Sequence, residues 1–363
     1  MPFGEFLDLA LYDEAGGFYG GGGGAGRGAD FLTSPEVGPL FGAVMARALD
    51  GWWAESGQPD PFVVIEAAAG VGTLARTVLA ASPRCAPALR YVLVERSAAL
   101  RARQVGGGLE LELPAFALGP VELTADDDEL EPHPVSATGP LVTSLAELPA
   151  QPFPGVVLAN ELLDNLAFTL LERGPGRWDE VRVGEDGDRL VEVMVEAAPD
   201  LAAAAERLAP DAPEGARLPL QHEAQRWLRD ALAAVADGRV VVIDYGDTSA
   251  GLARRPWTDW VRTYRTHGRG GHPLDGPGTQ DVTCEVAFDQ LAAVRAPAST
   301  RSQRDFLVTH GIDELVAEAR RTWEERAAIG DLAAMAARSR VNEAAALTDP
   351  DGLGGFTVVE WSA

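Results

Sequence analysis

The residues best placed for chemistry in this chain are Glu36, Glu66, Glu95, Glu161 and Asp164, with Asn160, Thr73 and the small-residue run Ala67-Ala68-Ala69-Gly70-Val71-Gly72. Carboxylates and an amide oxygen accept hydrogen bonds from hydroxyl and ammonium groups. Small residues let a ligand approach the backbone closely. A helix that starts just after them offers free N–H groups. Together these features suit a nucleotide-like ligand.

Each of these residues must be placed by an element, and the pattern supplies one for most of them. Phe62 to Ile65 is a short apolar run that reads as a buried parallel strand ending in Glu66. The helical spacing of Leu74, Ala75, Val78 and Leu79 starts a helix at Thr73. Tyr91 to Val94 is a second strand, ending in Glu95, with Ser97 capping the helix beyond it. An acid about 20 residues past a glycine turn is where a ribose ligand is expected. Leu141-Val142-Thr143 is a weak third strand, and Val156 to Ala159 a strong fourth. Asn160, Glu161 and Asp164 follow the fourth strand, in the crevice where doubly wound sheets bind ligands. Val240 to Ile243 is a further strand, ending in Asp244-Tyr245-Gly246. Simpler readings stand beside these. The turn can be an ordinary strand-to-helix turn, Glu95 and Asp164 surface acids, and Glu36 one half of a capping box with Thr33 or Ser34.

The rest of the chain frames this set. Phe3, Phe6, Leu7, Ala10 and Leu11 form one apolar helical face, and Gly20 to Gly24 is a flexible run. A single amphipathic helix is expected from Val37 to Trp52. Residues 126–131 are an acidic loop. Phe168 to Val195 alternates like an antiparallel hairpin insertion. Trp257 to Gly278, rich in aromatics, Arg, His and Gly, reads as a loop near the site. Asp281-Val282-Thr283 is expected to open a helical region, Asp305 to Leu347 is helical, and Gly355 to Trp361 is a terminal strand.

Composition narrows the class. The chain has 363 residues, 55 acids against 30 bases and a formal charge of −25, which argues against nucleic acid and anionic membranes as partners. Cys85 and Cys284 support no disulfide framework, and His267 and His272 lack metal spacing, so no metal is expected. With no long apolar run and no signal-peptide pattern, a cytoplasmic protein is expected.

The turn GVGTLA fits the dinucleotide fingerprint, which keeps an NAD-dependent oxidoreductase open. It also resembles motif I of class I methyltransferases that bind S-adenosylmethionine, with Ala68 in place of the first glycine. The stretches FLDLALYDEAGGFYG, GADFLTSPEVGPLFG, IEAAAGVGTL, VERSAALRARQ, LANELLDNL, IDYG, PGTQDVTCEVAF, QRDFLVTHGI and GGFTVV together resemble the MidA-type methyltransferase family. That family includes a mitochondrial complex I assembly factor that methylates a protein arginine. Asn165 and Ala167 depart from the family's usual Ala and Pro. The resemblance implies a class I Rossmann-like α/β fold with a seven-stranded, mostly parallel sheet and a mixed edge. An N-terminal helical or lid segment (1–61) would precede a methyltransferase domain (62–363), with an insertion at about 167–235. It implies S-adenosylmethionine as cofactor, with Glu66, Ala68, Gly70, Gly72, Thr73, Glu95 and Asn160 around it. For a protein arginine as acceptor, Glu161 is the first choice of anchor, then Asp164, then Glu36. A non-catalytic assembly protein on the same fold is the third reading, and Ala68 is its best support.

Overall fold

The computed structural model describes residues 1–20, 33–105, 108–118, 138–265 and 268–363. Its central sheet has seven strands: β1 (Phe62–Ala67), β2 (Leu89–Val94), β3 (Leu141–Leu145), β4 (Phe153–Asn160), β5 (Val235–Asp244), β6 (Ser299–Ser302) and β7 (Thr357–Ser362). The spatial order is β3-β2-β1-β4-β5-β7-β6. β1 to β5 run parallel, β7 is antiparallel to β5, and β6 is antiparallel to β7. This is the seven-stranded, mixed-edge sheet expected from the resemblance. The reversed β7 separates it from the dinucleotide-binding order 3-2-1-4-5-6.

The central strands form because they are β-branched and apolar on both faces, as covered parallel strands must be. All six residues of β1 and of β2 are buried. On one face, α3 (Pro39–Glu55) and α4 (Thr73–Ala80) cover Phe62, Val64, Tyr91 and Leu93. These two helices pack at glycine distance, because a Cβ on Gly42 would lie 2.1 Å from Thr77 Oγ1. On the other face, the helix His222–Ala234 covers Val63, Ile65, Val92 and Val157.

The segment before β1 is divided. Residues of α3 pack on the central sheet, whereas α1 (Phe3–Tyr12) packs on the insertion, with Phe3 and Phe168 ring centres 5.6 Å apart. The insertion is a four-stranded antiparallel sheet (Thr169–Gly174, Arg177–Asp186, Arg189–Glu196, Arg217–Leu220) with the helix Pro199–Leu208. The helix that follows it belongs to the central sheet.

Several local expectations are corrected. The helix expected from Val37 to Trp52 is instead α2 (Ser34–Val37) and α3, separated at Gly38. Asp281–Cys284 is a strand, paired with Val261–Arg265, and no helix opens there. The β-branched pair Val282-Thr283 prefers that state. Trp257 to Gly278 is not all loop: it holds the turn Trp257–Trp260 and the hairpin Val261–Arg265 with Gly268–Arg269. The run 21–24, the acidic run 126–131 and His267 lie outside the described residues. Among the described residues, no helix is long and apolar enough to cross a membrane.

Candidate active site at the carboxyl ends of the central strands

β1 ends at Ala67, and the chain then turns sharply into α4. Ala68 (φ 54), Gly70 (φ 53) and Gly72 (φ 82) all adopt the left-handed backbone region. Glycine meets that requirement without strain, which explains the glycine-rich motif; Ala68 adopts the same conformation at a steric cost. No atom lies within 4 Å of where a Gly70 Cβ would project, so the backbone there is open to a ligand.

Glu95, at the end of β2, is fixed by this turn. Its Oε2 accepts from the Gly70 N–H at 2.9 Å and its Oε1 from the Ser97 N–H at 2.8 Å. Burial pushes its carboxyl up, while the Ser97 and Gly70 N–H groups and Arg101 pull it back. Gln104 Nε2 donates to the Gly70 carbonyl at 2.8 Å, and Ser144 holds the Gln104 amide in turn. Ser97 caps its helix as expected, accepting from the Leu100 N–H. Glu95 faces a cavity of about 540 Å³ whose wall includes Ala68, Leu148 and Trp227. Each Glu95 oxygen keeps a lone pair beyond its backbone bond, as recognition of a ribose diol requires.

Glu66 goes elsewhere. It is buried, accepts from the Tyr91 hydroxyl at 2.7 Å, and burial raises its pKa to about 7. It lines neither this cavity nor the second one described next.

The second cavity, about 670 Å³, opens at the ends of β4 and β5. Glu161 stands at its edge with φ 52, a strained position of the kind kept at functional sites. Its Oε1 accepts from Asn160 Nδ2 at 3.1 Å and from the Ser34 N–H at 3.2 Å. Burial, then the neighbouring Asp164, push its pKa up to about 8. Asp164 is 4% exposed and accepts from the Tyr245 hydroxyl at 2.7 Å. Burial moves its pKa up to about 6 against the pull of that bond. Its Oδ1 is buried with no hydrogen-bond partner, and so is Asn160 Oδ1. Asp164 is thus not a surface acid. Asp244, fully buried, accepts from the Leu163 and Tyr245 N–H groups and holds the loop after β4 in place.

Glu36 is not the capping-box partner of Thr33. Thr33 makes no side-chain cap bond, and Glu36 accepts from the Thr73 hydroxyl at 2.7 Å. With Ser34 bound to Glu161 and to Gln303, α2 clamps the glycine turn to the loop after β4. Asn165, noted only as a departure, binds the N-terminal segment: its amide meets Tyr19 and Asp281 at 3.2 and 3.1 Å. Tyr245, Arg262, Tyr264 and Phe356 also line the second cavity. Only the strand-end position of Tyr245 and the aromatic–arginine content near residue 262 pointed toward them.

The donor set fits S-adenosylmethionine. The paired acceptor Glu95 suits the ribose, and Asn160 Oδ1, which like Glu66 is outside both cavity walls but has no partner, suits the ammonium of the amino-acid end. Among the described residues, no group of three or more His, Cys, Asp or Glu could hold a metal.

Fold and site together define a class I methyltransferase. The chain belongs to a family of S-adenosyl-L-methionine-dependent methyltransferases, whose model matches residues 44–304. It is 28% identical over 316 residues to the Drosophila melanogaster protein arginine methyltransferase NDUFAF7 homolog, mitochondrial, covering 83% of this chain and 67% of that protein. It is 28% identical over 331 residues to mouse NDUFAF7, a mitochondrial protein arginine methyltransferase, covering 85% and 70%. A Burkholderia thailandensis structure with S-adenosyl-homocysteine bound matches with a TM-score of 0.79 at 27% identity, covering 100% of this chain and 88% of that one. These findings replace the oxidoreductase and scaffold readings with a methyltransferase that uses S-adenosylmethionine. The expectation of a cytoplasmic protein is overturned, because these relatives are named mitochondrial. A sequence pattern of this kind does not distinguish one aqueous compartment from another.

Proposed function

We propose that this protein methylates an arginine side chain of a protein acceptor, with Glu161 and Asp164 holding the guanidinium. The observation that carries this reading is the buried, unpartnered Oδ1 of Asp164 in the cavity that Glu161 shares. A guanidinium is planar and cationic with five N–H donors, and it would satisfy both carboxylates by charge-assisted bonds. The names of the relatives, protein arginine methyltransferases, support the same acceptor.

S-adenosylmethionine supplies a methyl group on an already cationic sulfur, so the leaving group needs no acid. Glu95 and Asn160 bind and orient the two ends of that molecule. α2 holds the two sites in register through Ser34 and Glu36. As the acceptor nitrogen forms its new N–C bond, it gives up a proton. Glu161 is placed to hold it, because its raised pKa makes it a better base than an exposed carboxylate. Glu66, away from both cavities, supports the turn from below.

The test is chemical. The protein is incubated with a radiolabelled methyl donor and a protein extract, and the labelled product is hydrolysed to amino acids. Label in methylarginine is expected. Label confined to lysine, histidine or carboxyl esters would overturn the arginine reading.

A further inference from the structure

The acceptor cavity is lined by charges of both signs. Glu161 and Asp164 supply carboxylates where β4 and β5 end. Its wall also includes the hairpin Val261–Arg265 with Gly268–Arg269, which brings Arg262 and Arg269 to the same cavity. Arg262 is committed: it donates to Glu285 at 2.6 Å and to the Asp259 carbonyl at 2.8 Å. Glu285 also takes Arg255, so one buried carboxylate serves two guanidinium groups and no negative charge is left over there. Arg269 is exposed, and its guanidinium lies 5.9 Å from the Tyr264 ring centre. It forms no ion pair among the described residues. Of the two arginines in the described lining, Arg262 has its carboxylate in Glu285 and Arg269 has none among the described residues. Asp351, the other charged group of the lining, belongs to the segment before β7.

We infer that the acceptor arginine sits beside an acidic residue, and that Arg269 reads that residue. The inference rests on the arginine reading above. A cation at Glu161 and Asp164 and an anion at Arg269 give each of these lining groups a partner of opposite charge. Complementarity of this kind sets specificity more than affinity. Arg269 is then a specificity-determining residue that takes no part in transfer.

The experiment is a calorimetric titration of the full chain, saturated with S-adenosylhomocysteine, with four short peptides. Three carry a central arginine flanked by aspartate, alanine or lysine; the fourth is the aspartate peptide with alanine replacing the arginine. The aspartate-flanked arginine peptide is expected to bind about tenfold tighter than the alanine-flanked one at low salt, and the lysine-flanked one weakest. Arg269→Glu should reverse the order of the aspartate and lysine peptides while leaving S-adenosylhomocysteine affinity unchanged. Equal affinities for the three arginine peptides, or an order that survives Arg269→Glu, would overturn this inference alone. A fourth peptide that binds as well as the first would overturn the arginine reading, and this inference with it.

Discussion

Replacing Ala68 by glycine should stabilise the protein. Ala68 has φ 54 at the first position of the cofactor turn, with its methyl group exposed. An L-residue in this region carries about 1–2 kcal/mol of steric strain, which glycine avoids. Glycine in turn loses more chain entropy on folding, about 0.4–1 kcal/mol. The balance is a gain of about 0.5–1 kcal/mol, or about 1 °C in Tm for a chain of this size. Urea denaturation with and without S-adenosylhomocysteine gives both the stability and the ligand's contribution. The variant should unfold at higher urea and bind the ligand at least as tightly. A lower midpoint with an unchanged slope would refute the argument, because it would mean that the turn is relaxed as it stands. Ala68→Val is the control: its branched side chain should cost more than alanine and weaken ligand binding.

Other outcomes follow from the same geometry. Glu95→Ala removes the acceptor for the Gly70 and Ser97 N–H groups, so S-adenosylhomocysteine affinity should fall at least about tenfold, read by calorimetry. Gly42→Ala should destabilise by about 1–3 kcal/mol in thermal unfolding, because its methyl would meet Thr77 Oγ1 at 2.1 Å. Glu161 titrates near 8, above its unfolded value, so the folded state keeps a proton that the unfolded chain has lost. Its contribution to stability is complete below the ordinary carboxyl range and is lost as pH rises through about 8. Urea midpoints of the ligand-free protein should therefore fall between about pH 4.5 and 8, level off above that, and fall less in Glu161→Gln. Methyl transfer needs the ionised carboxylate, so kcat/KM should rise as pH passes through about 8.

Much of this site was legible because strand ends are legible. Apolar β-branched runs are interrupted where they meet the crevice, so Glu95 and the pair Asn160-Glu161 could be placed without coordinates. Glu66 obeys the same pattern, but its side chain turns into the packing under the turn. Side chains alternate along a strand, and Glu66 points beneath α4 to Tyr91 while its neighbour Ala67 faces the other way and meets the cavity. Glu36 looked like a helix cap because cap chemistry is local; the Thr73 hydroxyl that takes it comes from across the fold. Phe356 read as part of a terminal strand, yet it packs on Tyr245, with ring centres 5.1 Å apart, and lines the cavity that holds Glu161 and Asp164. No spacing rule reports a contact made by tertiary packing. The hairpin carrying Arg262 and Arg269 read as a loop because its strands are short and rich in arginine, which hides the alternation.

The account turns on Glu161 acting on the acceptor without binding the cofactor. The direct measurement is one preparation of Glu161→Gln assayed twice, for S-adenosylhomocysteine affinity and for methyl transfer to arginine. The account predicts wild-type affinity together with transfer lowered by at least about a hundredfold, the scale of a positioned base. Transfer at the wild-type rate, or affinity and transfer lost together, would contradict it.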